Sequence, residues 1–346
     1  GSTFASLVVI SGGGSVGQYG PLVHFGSTIG LFIKNFFKLK MSPDIFIGCG
    51  VAAAIAAGFN APLAGILFAH EAILRHFSLR AIAPISIASF SASAFGEYFF
   101  GNSPALFELS QQVPPLNEVL PILLLLGPAF AIITVCFMIT LRAANNFAAV
   151  NERHKTLLPF IAALICGSVG VFLPEILGLG IGAINDLIAG NISLTKVSML
   201  LMAKISMTAL CIGFGLFGGI FSPALFIGVS AGSLAAGFFT AIGYPDLAQV
   251  IIISGMAAVA ASVIGAPITS VLIVLELTGS YEYGVAAMVA VIISSLVTYR
   301  AFGLSFFDRQ LLDRGIDMRQ GRESIALSQR LVSSCEHMAF VKLAAG

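Results

Sequence analysis

The stretch Pro21-Leu22-Val23-His24-Phe25-Gly26-Ser27-Thr28-Ile29-Gly30 returns late in the chain as Pro223-Ala224-Leu225-Phe226-Ile227-Gly228-Val229-Ser230-Ala231-Gly232. Both read P-x4-G-x3-G. A second block repeats in the same order. Gly50-Val51-Ala52-Ala53-Ala54 leads to Ala61-Pro62 and Glu71, and Gly255-Met256-Ala257-Ala258-Val259 leads to Ala266-Pro267 and Glu276. Gly to Pro is 12 residues in both copies, and Pro to Glu is 9. Ordered landmarks at matched spacings mark an internal duplication. Apolar segments interrupted by Gly and Pro at corresponding places point to a membrane transport fold of two related halves, with the binding site where they meet.

Composition agrees. Hydrophobic residues make up 58% of the chain and charged residues 10%, with a mean hydropathy of +1.00; a soluble domain carries about 25% charged residues. Residues 119–141, 205–245 and 247–275 contain no Asp, Glu, Lys or Arg. A spanning helix needs about 20 apolar residues, so the chain reads as an all-α, polytopic, multi-pass membrane protein whose partner is the lipid bilayer. A net charge of +1 suggests no nucleic-acid partner. Cys49, Cys136, Cys166, Cys211 and Cys335 are scattered and show neither metal nor disulfide spacing, so they read as small buried hydrophobes. No metal ligand cluster, cofactor loop or catalytic triad is visible. The chain starts inside an apolar segment without Met, which reads as a fragment.

Helices are expected at about 3–12, 20–37, 44–58, 62–74, 82–100, 117–150, 156–173, 180–190, 194–213, 221–241, 246–263, 267–278, 284–301 and 305–315. The repeat halves span about 1–100 and 117–301, inside a membrane domain of residues 1–317. Gly101–Asn117 reads as a loop and 318–346 as a tail or linker. Residues 300–346 hold 7 of the 17 Lys and Arg, which by the positive-inside rule puts the C-terminus in the cytoplasm.

Two Gly/Pro elements occupy equivalent places in the repeat: Gly17-Gln18-Tyr19-Gly20-Pro21 and Gly218-Gly219-Ile220-Phe221-Ser222-Pro223. Pro suits the first turn of a helix, and Gly lets backbone approach a ligand. A helix N-terminus offers unpaired N–H groups and a partial positive charge. Two such ends converging inside a membrane would hold an anion without a fixed cation. The anion-binding candidates are therefore Gln18, Tyr19, Gly20, Gly219, Ile220 and Phe221.

These elements resemble those of the CLC chloride channel and transporter family. Gly-Ile-Phe-Ser-Pro at 219–223 resembles its G-x-F-x-P, and Gly-Gln-Tyr-Gly-Pro at 17–21 resembles its G-[KR]-E-G-P. Phe59-Asn60-Ala61-Pro62-Leu63-Ala64-Gly65-Ile66-Leu67-Phe68 with Glu71, and Ala266-Pro267 running into Leu275-Glu276-Leu277-Thr278, are further family marks. The resemblance covers about residues 3–317. It implies an inverted-repeat fold of tilted, partly broken helices, a homodimer with one pathway per subunit, and chloride or a similar small anion as the transported species.

Three departures shape the functional reading. The family's external gate is a Glu, and Tyr19 stands there; with an ordinary pKa of about 10, a phenol is neither an anionic plug nor an easy proton relay. The second member of the family's inner Glu-Glu pair is Ala72, which carries no proton. Phe307 aligns with a Tyr that lends its hydroxyl to the anion. The family's G-S-G-x-P element is not matched by Gly1-Ser2-Thr3 and would lie upstream. The leading expectation is passive anion conduction, with Tyr19 and Phe307 as outer and inner gates. An anion/proton antiporter using His24, His70 or Glu71, and a non-conducting structural or regulatory homologue, stay open as alternatives. Against these roles, His24 and His70 also read as packed or interfacial histidines, and Glu71 and Glu276 as structural groups.

Overall fold

The computed structural model describes residues 1–101, 114–313 and 315; the tail 318–346, with most of the expected 101–117 loop, lies outside them. The described residues form fourteen α-helices. The first half contains α1 (Ser2–Ser11), α2 (Tyr19–Phe36), α3 (Pro43–Phe59), α4 (Pro62–Phe68) and α5 (Leu79–Phe100). Then follow α6 (Leu116–Val150), α7 (Leu158–Phe172), α8 (Ile181–Ile188), α9 (Leu194–Gly213), α10 (Phe221–Ala241), α11 (Ala248–Ile264), α12 (Pro267–Thr278), α13 (Tyr281–Phe302) and α14 (Phe306–Asp313). Six stretches among these are long and apolar enough to cross a membrane, the longest lying in α6. Its 35 residues extend about 52 Å at the usual helical rise, well beyond the hydrocarbon thickness.

The repeat landmarks are packing contacts. A Cβ on Gly26 in α2 would sit 2.2 Å from the Gly50 carbonyl oxygen in α3. In the second half, a Cβ on Gly228 in α10 would sit 2.6 Å from the Gly255 carbonyl oxygen in α11. Each half thus contains a helix pair in backbone contact, which only small residues permit and which lipid-embedded helices use in place of a hydrophobic driving force. Both α3 and α11 then stop on a left-handed residue, Asn60 (φ 51°) and Gly265 (φ 80°). Ala-Pro follows in both, and Pro starts α4 and α12 at a position where its missing N–H costs nothing.

The expected 62–74 helix is divided. After Phe68 the backbone widens into a π-helical turn over Ala69–Leu74, which ends on left-handed Arg75 (φ 56°). Such turns re-aim side chains and recur at functional positions. Its counterpart α12 stays α-helical through Glu276. The two halves also differ in burial. Every residue of α11 from Val250 to Ile264 is buried, as is α10 from Phe221 to Ser233. By contrast α2 and α5 expose Phe32, Phe36, Phe95 and Phe99 along their outer faces, as helices facing lipid do. The second half therefore supplies the centre of the molecule.

Candidate functional site

The loops after α1 and α9 meet. Gly17 N–H donates to the Gly219 carbonyl at 2.7 Å, and Gly219 N–H donates to the Gly17 carbonyl at 2.6 Å. This reciprocal pair joins the two Gly/Pro elements and sets the starts of α2 and α10 side by side. The approach demands glycine: a Cβ on Gly219 would sit 2.8 Å from the Gly20 nitrogen. Neither N-cap side chain, Gln18 or Ile220, closes on its own helix end. The first-turn amides are left for a ligand or water.

Tyr19 and Phe221 open the two helices, and they meet as rings. Tyr19 lies flat on Phe59 (centroids 3.8 Å, 9° between planes) and edge-on to Phe221 at 5.5 Å. Phe59 and Phe221 are edge-on at 5.3 Å. The Tyr19 hydroxyl donates to the Gly58 carbonyl at 3.2 Å, and its residue is only 8% exposed. A cavity of about 370 Å³ begins at this triad, lined by Tyr19, Gly20, Ile220, Phe221, Ala72 and Phe307 among others. A smaller space of about 30 Å³, lined by Phe59, Ser222 and Leu225, touches Tyr19 as well. Tyr19 thus borders both spaces.

The larger cavity contains a charge that sequence spacing did not show. Arg75, delivered by the π turn, lines it and pairs with Asp308 at the start of α14. The Ser305 hydroxyl accepts from Asp308 N–H and donates to its carboxylate at 2.8 Å, fixing the first turn of α14. Phe306 turns into the core and Phe307 into the cavity. An Arg side chain here raises the local anion concentration, while Asp308 holds part of its charge.

Glu71 and Glu276 exchange places between the halves. The Glu71 carboxylate accepts from Ile268 N–H (3.0 Å), Thr269 N–H (2.8 Å) and the Thr269 hydroxyl (2.6 Å), closing the N-terminus of α12. The Glu276 carboxylate accepts from Leu63 N–H (2.8 Å) and Ala64 N–H (2.7 Å), closing α4. Each half's acid satisfies the other half's helix end, where negative charge is favoured. His24 is exposed on α2 and shares no lining with the cavity. His70 is fully buried, stacked on Phe77 at 5.3 Å, with Nδ1 3.0 Å from the His76 carbonyl and Nε2 without a hydrogen-bond partner. The structure therefore gathers Tyr19, Gly20, Ile220, Phe221 and Phe307 around one space. Gln18 and Gly219 adjoin lining residues in the chain but are not among its walls, and Glu71, His70 and His24 lie off them as well. Sequence reasoning did not single out Phe59, Arg75 or Asp308. Phe59 was within a quoted motif, but the Arg75–Asp308 pair joins residues 233 apart and left no local signal.

Comparison with known proteins gives the same picture. The family profile described as voltage gated chloride channel matches residues 1–299. The "H(+)/Cl(-) exchange transporter ClcA" of Vibrio parahaemolyticus is 30% identical over 323 residues, covering 90% of this chain and 68% of the relative. That of Yersinia pestis is 30% identical over 341 residues, covering 95% and 70%. A slow cyanobacterial Cl-/H+ antiporter superimposes with a TM-score of 0.79 at 22% identity, over 93% of this chain and 74% of its own. A CLC-type fluoride/proton antiporter superimposes at 0.69 and 25% identity, over 83% and 70%. With its duplicated helix pairs, exchanged carboxylates and all-α multi-pass fold, this chain belongs to the voltage gated chloride channel family.

Proposed function

We propose that the chain moves chloride or a similar small anion across a membrane by way of the cavity at the paired starts of α2 and α10. The observation that carries this reading is the reciprocal Gly17–Gly219 hydrogen bonding, which aims two helix N-termini at one place. First-turn amides around Tyr19 and Phe221 would replace part of the anion's hydration shell. Tyr19 and Phe307 are its two constrictions, and Arg75 draws anions to the wider end.

The mode of transport is weighed differently from the sequence reading. Matched relatives are named as proton/chloride exchangers, and two superimposed structures are antiporters. These names favour coupled exchange over passive conduction. In this chain the proton would need a carrier other than Tyr19 or Ala72. Glu71 is committed to the α12 terminus, so His70 takes that role: it is buried, and its Nε2 is unpartnered. Passive conduction remains the second reading, favoured by the aromatic ring at position 19 and the methyl group at position 72. In either mode the protein works as a homodimer with its C-terminus in the cytoplasm.

The deciding experiment records chloride efflux and internal pH together in liposomes carrying the full-length protein. Proton uptake driven by chloride, lost in His70→Ala with the chloride flux retained, supports exchange. Efflux with no proton movement supports conduction. No flux under any gradient overturns both and leaves a structural or regulatory homologue.

A further inference from the structure

A second cavity, of about 230 Å³, is bounded by the later turns of α6, the end of α13 and the helix α14. From α6 it takes Arg142, Asn145, Asn146 and Ala149, which stand at i, i+3, i+4 and i+7 and so share one helix face. From α14 it takes Phe306, Arg309, Gln310 and Asp313 at the same spacing. The two faces bring a pair of guanidinium groups, 167 residues apart in the chain (309 − 142), to one space.

The charges there are poorly matched. Arg142 Nη2 lies 3.8 Å from Asp313 Oδ1, and Arg309 Nε lies 3.6 Å from the same oxygen. Both separations are too long for hydrogen bonds. The Nε atoms of both arginines are shut off from solvent and have no hydrogen-bond partner among the described residues. One carboxylate thus serves two cations, which leaves positive charge over and two buried donors unpaired, a costly state. The carboxamides of Asn145, Asn146 and Gln310 add further donors on the same walls. Guanidinium forks with amides beside them suit an anion that offers several oxygens at once.

The depth of the site in the membrane narrows the ligand. Helix α6 opens on polar Asn117 and Glu118 and rises about 39 Å before it reaches Arg142. A hydrocarbon core is about 30 Å thick, so the cavity stands beyond it, at the level of lipid headgroups. We propose that this cavity binds a phosphate group, carried by a membrane lipid or by a small soluble phosphate. Arg142 and Arg309 are its charge-assisted donors, and Asp313 is the carboxylate that it displaces. The site adjoins the transport cavity through α14: Gln310 lines both spaces, and Phe307 lines the other one.

The test measures saturable binding to the full-length protein in nonionic detergent. Radiolabelled dioctanoyl phosphatidic acid and radiolabelled inorganic phosphate are separate probes, and dioctanoylglycerol is the control that lacks the phosphate. Binding of phosphatidic acid without inorganic phosphate assigns the lipid as the source. Binding of inorganic phosphate, with or without the lipid, assigns recognition of the free group. Arg142→Gln and Arg309→Gln should each weaken binding about tenfold or more. Asp313→Asn should strengthen it about fivefold, because the competing carboxylate is gone. Arg80→Gln, which removes an exposed arginine outside the cavity, should leave it unchanged. Absence of saturable binding of both phosphate probes to the wild-type protein overturns the proposal, and no variant need fold for that result. Equal binding of dioctanoylglycerol overturns it, since the phosphate is then not what is recognised. An equal loss in Arg80→Gln, or weaker binding in Asp313→Asn, overturns it as well.

Discussion

Tyr19 does two things with one side chain: its face packs on Phe59 and its hydroxyl reaches the Gly58 carbonyl. Substitutions separate them. Tyr19→Phe removes a hydrogen bond worth about 0.5–1.5 kcal/mol net but keeps the ring, so anion flux in liposomes should stay near wild type. Tyr19→Ala removes the ring that borders both the 370 Å³ and the 30 Å³ spaces, and flux should rise. A second residue-scale prediction concerns Arg75. Arg75→Gln should lower flux and flatten its dependence on ionic strength, because screening acts over about 10 Å at 0.1 M salt and the attracting charge is gone. Much of this site was legible in the sequence: Gly17, Gly20, Gly219 and Phe221 stood at duplicated places whose spacing announced convergent helix ends. The Arg75–Asp308 pair was not, since an ion pair between distant segments has no period and no motif.

At the level of elements, the exchanged carboxylates are the informative pair. Glu276→Gln should lower the thermal midpoint in detergent, since charge-assisted bonds to the α4 amides contribute about 1.5–3 kcal/mol. Glu71→Gln should do the same through α12 while leaving any proton coupling intact; loss of coupling with normal stability would return Glu71 to the proton route. The helix contacts make a sharper prediction. Gly228→Leu places a side chain where the Gly255 carbonyl lies 2.6 Å from a Cβ position, and should abolish well-behaved expression measured by size-exclusion chromatography. Helix existence was readable from apolar runs bounded by Gly and Pro, and α2, α9, α10 and α12 lie within a residue or so of expectation. The π turn at Ala69–Leu74 was not readable, because its i to i+5 bonding leaves the same apolar pattern as an α-helix.

For the whole molecule, duplication was the strongest signal, and it located the fold and the two helix starts that meet at Gly17 and Gly219. What it concealed is that the halves are unequal partners, with α10 and α11 buried at the centre and α2 and α5 at the periphery. Composition alone does not separate a helix surrounded by protein from one surrounded by lipid, since both are apolar all round. The swap of Glu71 and Glu276 carries a consequence for biosynthesis. Ala64 N–H takes its partner from a residue 212 positions further along the chain. At a synthesis rate of about 5–20 residues per second, the ribosome needs about 10–40 s to deliver it. During that interval the start of α4 has polar groups that lipid cannot satisfy. The early half must therefore wait beside water or the insertion machinery until its twin emerges, and the membrane receives the two halves as a single late event.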